Sequence, residues 1–266
     1  MRDLLKRGTF VQAPGAYDAL TAKLTEAAGF PAVYMSGYGT AAGYGVTDTG
    51  VIGLPEMLAN ATRMARATDI PLIADADTGY ADPAETTRLY ESAGVAAIQI
   101  EDQVWPKKCG HMPGKAVVDA ETMCDRIRSA ASARQSGGIL IIARTDAIAV
   151  EGLEAALERA ERYAAAGADI LFVEAPESLE QLQDIPRRLP GIPHLYNAAP
   201  RTPYVRPDDL AAFGYAIAIY PGIAFTATML AARSALEELR TDGTQSNLET
   251  WRAHFEEWNA FLEGAS

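Results

Sequence analysis

Eight short apolar runs, each followed by a polar or Gly/Pro-containing break and then a longer helical stretch, divide this chain from one end to the other. They are "GTFVQAP" (8–14), "AVYMSG" (32–37), "PLIADAD" (71–77), "AAIQIED" (96–102), "ILIIARTD" (139–146), "DILFVEAP" (169–176), "HLYNAA" (194–199) and "YAIAIYP" (215–221). The intervening segments, among them "AYDALTAKLTEAAGF", "PAETTRLYESAG" and "LEAALERAERYAAAGAD", are amphipathic and close on the glycine that commonly ends a helix. Strand–helix alternation implies a parallel sheet with right-handed crossovers. Eight such units in 266 residues predict an α/β fold, a closed (β/α)8 TIM barrel, as one domain over 1–266. The competing open, doubly wound sheet lacks its usual support, because no dinucleotide-binding glycine pattern follows the first run. A tail over 245–266, "NLETWRAHFEEWNAFLEGAS" for most of its length, reads as one more helix with Trp251, Phe255, Trp258 and Leu262 on a stripe that needs a partner.

Charge narrows the ligands. The net charge is −12, from 35 acidic and 23 basic residues, which argues against duplex nucleic acid or an anionic membrane as partner. An anionic ligand must then meet locally placed cations or a metal. The N-terminal "MRDLLKRGTF" lacks the apolar run of a signal peptide, and no apolar stretch approaches the ~18 residues of a membrane span. A cytoplasmic protein is expected, with Cys109 and Cys124 as reduced thiols and no disulfide framework.

In a parallel barrel the working residues sit where strands end, at the C-terminal face. Ser36 and Gly37 end the second run, Asp75 and Asp77 the third, Glu101 and Asp102 the fourth, Arg144 and Asp146 the fifth, Glu174 the sixth and Asn197 the seventh. So many carboxylates repel one another unless something positive lies between them. Asp75 and Asp77, two apart in an extended segment, form with Glu101 an all-oxygen set suited to Mg²⁺ or Mn²⁺. Arg144 ends a buried run and must be paired, with Glu174 or Glu101, or hold a substrate carboxylate in its guanidinium fork. The "SGYG" turn, Ser36 to Gly39 with Tyr38 inside it, offers a hydroxyl and consecutive backbone N–H groups to a small carboxylate.

The segment "EDQVWPKKCGHMPGKAVV" (101–118) is too rich in Gly and Pro for an ordinary helix or central strand. Cys124, within the helical "AETMCDRIRSA", reads as a small core residue. Cys109 differs, because Lys107, Lys108 and His111 lie within two residues of it, an environment expected to favour thiolate and to make the thiol usable as acid, base or nucleophile. Zinc would require further Cys or His at ligand spacing, and His194 and His254 are remote in sequence; a redox CxxC is absent. A catalytic thiol on a loop over 107–115, able to close on substrate and exclude water, is the expectation.

"KKCGH" together with "DADTGY", "IEDQ", "IARTDA", "VEAP" and "AYDALTAKLTEAAGFPAVYMSG" resembles the isocitrate lyase and phosphoenolpyruvate mutase superfamily, especially its short 2-methylisocitrate and dimethylmalate lyases. The resemblance runs over about residues 10–221. It implies a (β/α)8 barrel whose last helix is exchanged between subunits of a dimer or tetramer. It also implies Mg²⁺ at Asp75, assisted through water by Asp48, Asp77 and Glu101, and a 2-oxo acid whose carboxylate meets Ser36 and Gly37 while Arg144 contacts its oxygens. The implied reaction is cleavage of a 2-hydroxy acid, with Cys109 as proton donor on the loop that carries Lys107, Gly110 and His111, and Tyr34 assisting the hydroxyl proton.

Two departures bear on substrate. Where such lyases carry Asn-x-x-Glu-Gly-Gly-Lys-Thr-Pro after the seventh strand, this chain has the shorter "NAAPRTP", leaving Asn197 and Arg201 as carboxylate partners, and Thr226 stands where methylisocitrate lyases place an arginine. Unpaired buried charge is costly, so a smaller or less charged substrate such as an alkyl-substituted malate is expected. The alternatives are an oxaloacetate decarboxylase or a phosphonopyruvate hydrolase or mutase, which do not need the cysteine, and a non-catalytic binder of a 2-oxo acid.

Overall fold

The structure is a computed structural model that describes residues 1–135, 138–244 and 246–264. Eight parallel strands close into a barrel in chain order, β1 (Val11–Ala16), β2 (Val33–Met35), β3 (Leu72–Asp75), β4 (Ala97–Glu101), β5 (Leu140–Thr145), β6 (Ile170–Val173), β7 (His194–Asn197) and β8 (Tyr215–Tyr220), with β8 pairing back onto β1. The eight apolar runs account for the eight strands. The helices are α1 (Arg2–Lys6), α2 (Ala19–Ala27), α3 (Gly37–Gly43), α4 (Leu54–Ala67), α5 (Pro83–Ser92), α6 (Ala120–Ala133), α7 (Ile148–Glu151), α8 (Leu153–Ala165), α9 (Leu179–Arg188), α10 (Pro207–Phe213), α11 (Ile223–Asp242) and α12 (Asn247–Glu263).

Local chemistry explains where these elements start and stop. Side chains of Asp18, Asp82, Asp119 and Ser178 accept from the first free backbone N–H groups of α2, α5, α6 and α9. Gly94 and Gly167, at φ 89° and 112°, turn the chain out of α5 and α8 in a conformation that side chains with a Cβ disfavour.

Because side chains alternate across a strand, each strand serves two cores. Tyr34, Ile73, Ile142, Phe172, Leu195 and Ile217 pack inside the barrel, which Met1, Leu4 and Leu5 of the α1 region adjoin. The opposite faces pack with the helices through Met57, Met64, Met123, Ile127 and Tyr163, all buried. Each such side chain contributes about 1.5–3 kcal/mol of hydrophobic stabilisation.

One expectation is corrected in detail. The second strand stops at Met35, and "SGYG" is not a flexible turn, because Ser36 caps α3 by accepting from Gly39 N at 3.1 Å. The C-terminal stripe is present on α12, with Trp251, Phe255, Trp258 and Leu262 exposed, and α11 also buries none of its residues. Gln245, Ala265 and Ser266 of the expected 245–266 extension lie outside the described residues. Among the described residues no helix is long and apolar enough to cross a membrane.

Candidate active site

The strand ends converge as the periodicity predicts. In the ladder Glu101 on β4 stands opposite Arg144 on β5, which stands opposite Phe172 on β6. Arg144, buried, reaches Glu101 Oε2 at 3.1 Å, Asp146 Oδ1 at 3.0 Å and Glu174 Oε2 at 3.6 Å, with its guanidinium 5.4 Å above the Phe172 ring. The sequence offered Glu101 or Glu174 as partner; the structure supplies both and adds Asp146. Burial opposes ionisation of Asp146 and Glu174, but Arg144 outweighs it, helped by Lys115 and His111 respectively, and holds both carboxyls below their ordinary range. Arg144 Nε is buried without an acceptor among the described residues.

A second cluster lies beside it. Lys107 Nζ pairs with Asp48 and lies 2.6 Å from Asp77 Oδ1. Burial alone would lower the Lys107 pKa, yet Asp77, Asp75, Glu101 and Asp48 together raise it well above the ordinary value. The carboxylates remain in excess: burial raises Asp75 and Glu101 despite Lys107 and Arg144, and pushes Asp77 up to about 6. Gly37 belongs to the same neighbourhood, since a Cβ there would come within 2.5 Å of Asp75 Oδ2.

The expected four-carboxylate metal set is therefore not a preformed cage. Among the described residues no three His, Cys, Asp or Glu groups are arranged to hold a metal ion, because the Lys107 ammonium already stands between Asp48 and Asp77. The donor chemistry nonetheless fits a hard divalent ion: the side chains are all oxygen ligands, their negative charge exceeds the lysine's, and Glu101 Oε1 is buried with no hydrogen-bond partner among the described residues.

The loop after β4 crosses this ground. Cys109 N donates to Asp48 O at 3.2 Å, and Gly110 lies so close to Arg144 that a Cβ would fall 2.2 Å from Nη2. His111 Nε2 approaches Glu174 Oε1 at 3.3 Å. Lys115, which the sequence reading passed over, ties the loop down by donating to Gly110 O and, at 2.7 Å, to Asp146 Oδ1. The expectation of a thiolate is overturned. Lys107 is taken by carboxylates and Lys108 donates to the carbonyls of Pro113 and Gly114, so burial dominates and raises the Cys109 pKa. A protonated thiol suits a proton donor better than a nucleophile.

Other expected residues fare unevenly. Tyr34, fully buried, donates to Gln99 Oε1 at 3.1 Å, and burial followed by the Asp75 charge raises its pKa well above 10. Tyr38 is half exposed and meets Phe225 edge-on, 5.4 Å between centroids. Asn197 Nδ2 donates to the Glu174 carboxylate, 3.0 Å from Oε2 and 3.3 Å from Oε1, and its Oδ1 is buried without a partner among the described residues. Arg201 is exposed and, among the described residues, makes no hydrogen bond or ion pair with the cluster.

Asp102, at the end of β4, is a support and not a ligand. It accepts from Thr145 Oγ1 at 2.7 Å, Tyr163 OH at 2.8 Å and Asp146 N at 2.9 Å, which fixes the backbone that carries Asp146 beneath Arg144. "IEDQ" contains it, but neither its three donors nor Tyr163 on a distant helix are visible in that string.

Comparison with known proteins agrees with this geometry. Residues 1–240 match the family model described as phosphoenolpyruvate phosphomutase. A 2,3-dimethylmalate lyase of Eubacterium barkeri is 44% identical over 98% of this chain and 92% of its own, and a solved 2,3-dimethylmalate lyase structure superposes with TM-score 0.88 at 41% identity, covering 92% of this chain and 84% of that one. A 2-methylisocitrate lyase of Aeropyrum pernix is 42% identical over 93% of this chain and 81% of its own. A phosphonopyruvate hydrolase solved with oxalate and Mg²⁺ superposes with TM-score 0.84 at 29% identity, covering 99% and 96% of the two chains. With a closed eight-stranded barrel, converging strand-end charges and these matches, the chain belongs to the phosphoenolpyruvate mutase/isocitrate lyase superfamily.

Proposed function

We propose that this carbon–carbon lyase cleaves an alkyl-substituted malate, of the 2,3-dimethylmalate kind, into a 2-oxo acid and a second carboxylic acid, with Mg²⁺ as cofactor. The observation that carries the reading is the thiol of Cys109, kept protonated on a loop held down across Arg144 and the carboxylate cluster. A phosphoenolpyruvate mutase moves a phosphoryl group without protonating carbon and needs no such donor.

When bound, the ion would act as a Lewis acid on the oxygens of the hydroxy or oxo acid, and Asp75, with Asp48, Asp77 and Glu101, would hold it. Support for the ion comes from the orphaned Glu101 Oε1, the excess of carboxylates and the Mg²⁺ bound by the similar phosphonopyruvate hydrolase. Arg144 would orient a substrate carboxylate through its free Nε, and Ser36 with Gly37 would receive the carboxylate next to the hydroxyl. As a general base takes the hydroxyl proton, the C2–C3 bond breaks, its electrons pass to the departing fragment, and Cys109 Sγ–H protonates that carbon. The closed loop excludes water from the carbanion-like intermediate.

Specificity for a dicarboxylate follows from the missing partners. Arg201 points to no buried pairing, Asn197 is engaged by Glu174, and Thr226 carries no charge, so the third carboxylate of a methylisocitrate would be left without a partner. The exposed apolar residues of α11 and α12, among them Met229, Leu236, Trp251 and Trp258, support exchange of C-terminal helices in a homodimer or homotetramer of single-domain chains.

Incubation of purified enzyme with a panel of 2-hydroxy di- and tricarboxylates, with and without Mg²⁺, tests the reading by release of pyruvate or another 2-oxo acid. Faster cleavage of 2-methylisocitrate than of substituted malates defeats the specificity claim. Full activity after exhaustive chelation defeats the cofactor claim.

A further inference from the structure

Gln99 is buried at 0% exposure on β4, two residues before Glu101 and therefore on the same face of the strand. It stands opposite Asp75 on β3 and Ile142 on β5, in the layer directly below the charged rim. Its carboxamide oxygen accepts the Tyr34 hydroxyl at 3.1 Å across the inside of the barrel, while Nε2 is buried and has no acceptor among the described residues.

The consequence is directional. A phenol carries one proton, and here that proton is committed to Gln99, so what Tyr34 can offer the site is an oxygen lone pair. An amide carbonyl is too weak a base to take the proton on, so Tyr34 cannot relay it downward. A neutral carboxamide suits this position, because a carboxylate would add one more charge beneath a cluster already in excess of anions. The unpartnered Nε2 donor is uncompensated within the chain and remains for a ligand oxygen or a water.

We infer that Gln99 is a positioning residue for the lyase reaction: it holds the Tyr34 proton away from the substrate, so that the phenol oxygen accepts the hydrogen bond of the substrate's 2-hydroxyl. This rests on the reading of Tyr34 as the residue that meets that hydroxyl. It also means that the final acceptor of the hydroxyl proton is a group other than Tyr34.

The test is a double-mutant cycle of Gln99→Leu and Tyr34→Phe, with Gln99→Met as a second replacement that keeps the length of the side chain. Cleavage of 2,3-dimethylmalate with Mg²⁺ should lose roughly tenfold in kcat for either Gln99 variant, the size of one lost hydrogen bond, with KM nearly unchanged. In the Tyr34→Phe background the Gln99 change should add nothing, because its effect passes through the missing hydroxyl. Losses that add, or a change confined to KM, overturn the inference.

A second readout is independent of turnover. In enzyme labelled at tyrosine Cζ with ¹³C, the resonance absent from Tyr34→Phe identifies Tyr34, and it should move on Gln99→Leu as the phenol loses its acceptor. A resonance unmoved by Gln99→Leu overturns the inference whether or not any malate is cleaved. A wild-type enzyme inert toward every hydroxy acid instead overturns the proposed function, and the resonance still decides the Gln99–Tyr34 pairing.

Discussion

Lys107 Nζ sits 2.6 Å from Asp77 Oδ1 and also pairs with Asp48, so a lysine of the loop after β4 fills with its own charge the space where the sequence placed a metal. The buried carboxylates beside it stay poorly neutralised, with Asp77 pushed up to about 6. Replacing Lys107 by Met removes the only ammonium in contact with Asp48 and Asp77 among the described residues. The variant should melt below wild type without metal by an amount corresponding to about 3–5 kcal/mol, the usual cost of breaking a buried pair. Mg²⁺ should then raise its melting temperature more than it raises that of wild type, because the ion no longer displaces a cation. Equal shifts in thermal melts would show that ion and lysine do not share the site.

Cys109 gives the sharpest separation between reaction types. A proton donor contributes about 10²–10⁴ in rate, so under the proposed mechanism Cys109→Ser and Cys109→Ala should each lose that much kcat in malate cleavage while still folding. Retained turnover on phosphonopyruvate or oxaloacetate by Cys109→Ser would identify the alternative chemistry. Since burial raises the thiol pKa, the high-pH fall of the lyase activity should lie above the ordinary thiol value of 9.0.

The barrel and most of the rim were legible because each depends on a local pattern. Short apolar runs buried on both faces mark Ala97–Glu101 and Leu140–Thr145, and a strand that ends in a charge, as at Glu101 or Arg144, ends at the C-terminal rim. What a string does not carry is direction. Lys107 and Lys108 flank Cys109 in sequence, but their ammonium groups go to Asp48, Asp77 and the backbone, which inverted the expected state of the thiol. Gln99 and Lys115 were missed because a glutamine within an apolar run and a lysine within a loop have no distinctive spacing. Only the alternation that puts Gln99 on the face of Glu101 could have suggested the former.

Gly110 is required by proximity rather than by its backbone angles. A Cβ there would lie 2.2 Å from Arg144 Nη2 and 3.0 Å from Glu174 Oε2, both of them buried and held by several partners. Gly110→Ala should therefore lift the loop, weaken the Lys115 contact to Gly110 O, and lower kcat by at least tenfold, while the melting temperature changes little because loop openings cost less than global unfolding. Hydrogen exchange over residues 107–115 should quicken in the variant. Wild-type kcat with unchanged exchange would place the closed loop outside the chemistry.

His194 provides a pH response far from the loop. At the start of β7 its side chain is 2% exposed, Nε2 contacts Leu189 O at 2.8 Å, and Nδ1 has no partner among the described residues. Burial outweighs the Leu189 bond and lowers its pKa below 6.5. The sign follows from proton binding: between the lowered folded value and the ordinary unfolded one, the unfolded chain holds the extra proton, so stability falls as the pH drops through 6.5 and levels off below the folded value. His194→Gln keeps an amide donor for Leu189 O but cannot titrate. Denaturant unfolding at pH 7.5 and pH 5 should show wild type losing more stability than this variant across that interval, and an identical loss in both would assign the acid sensitivity to other groups.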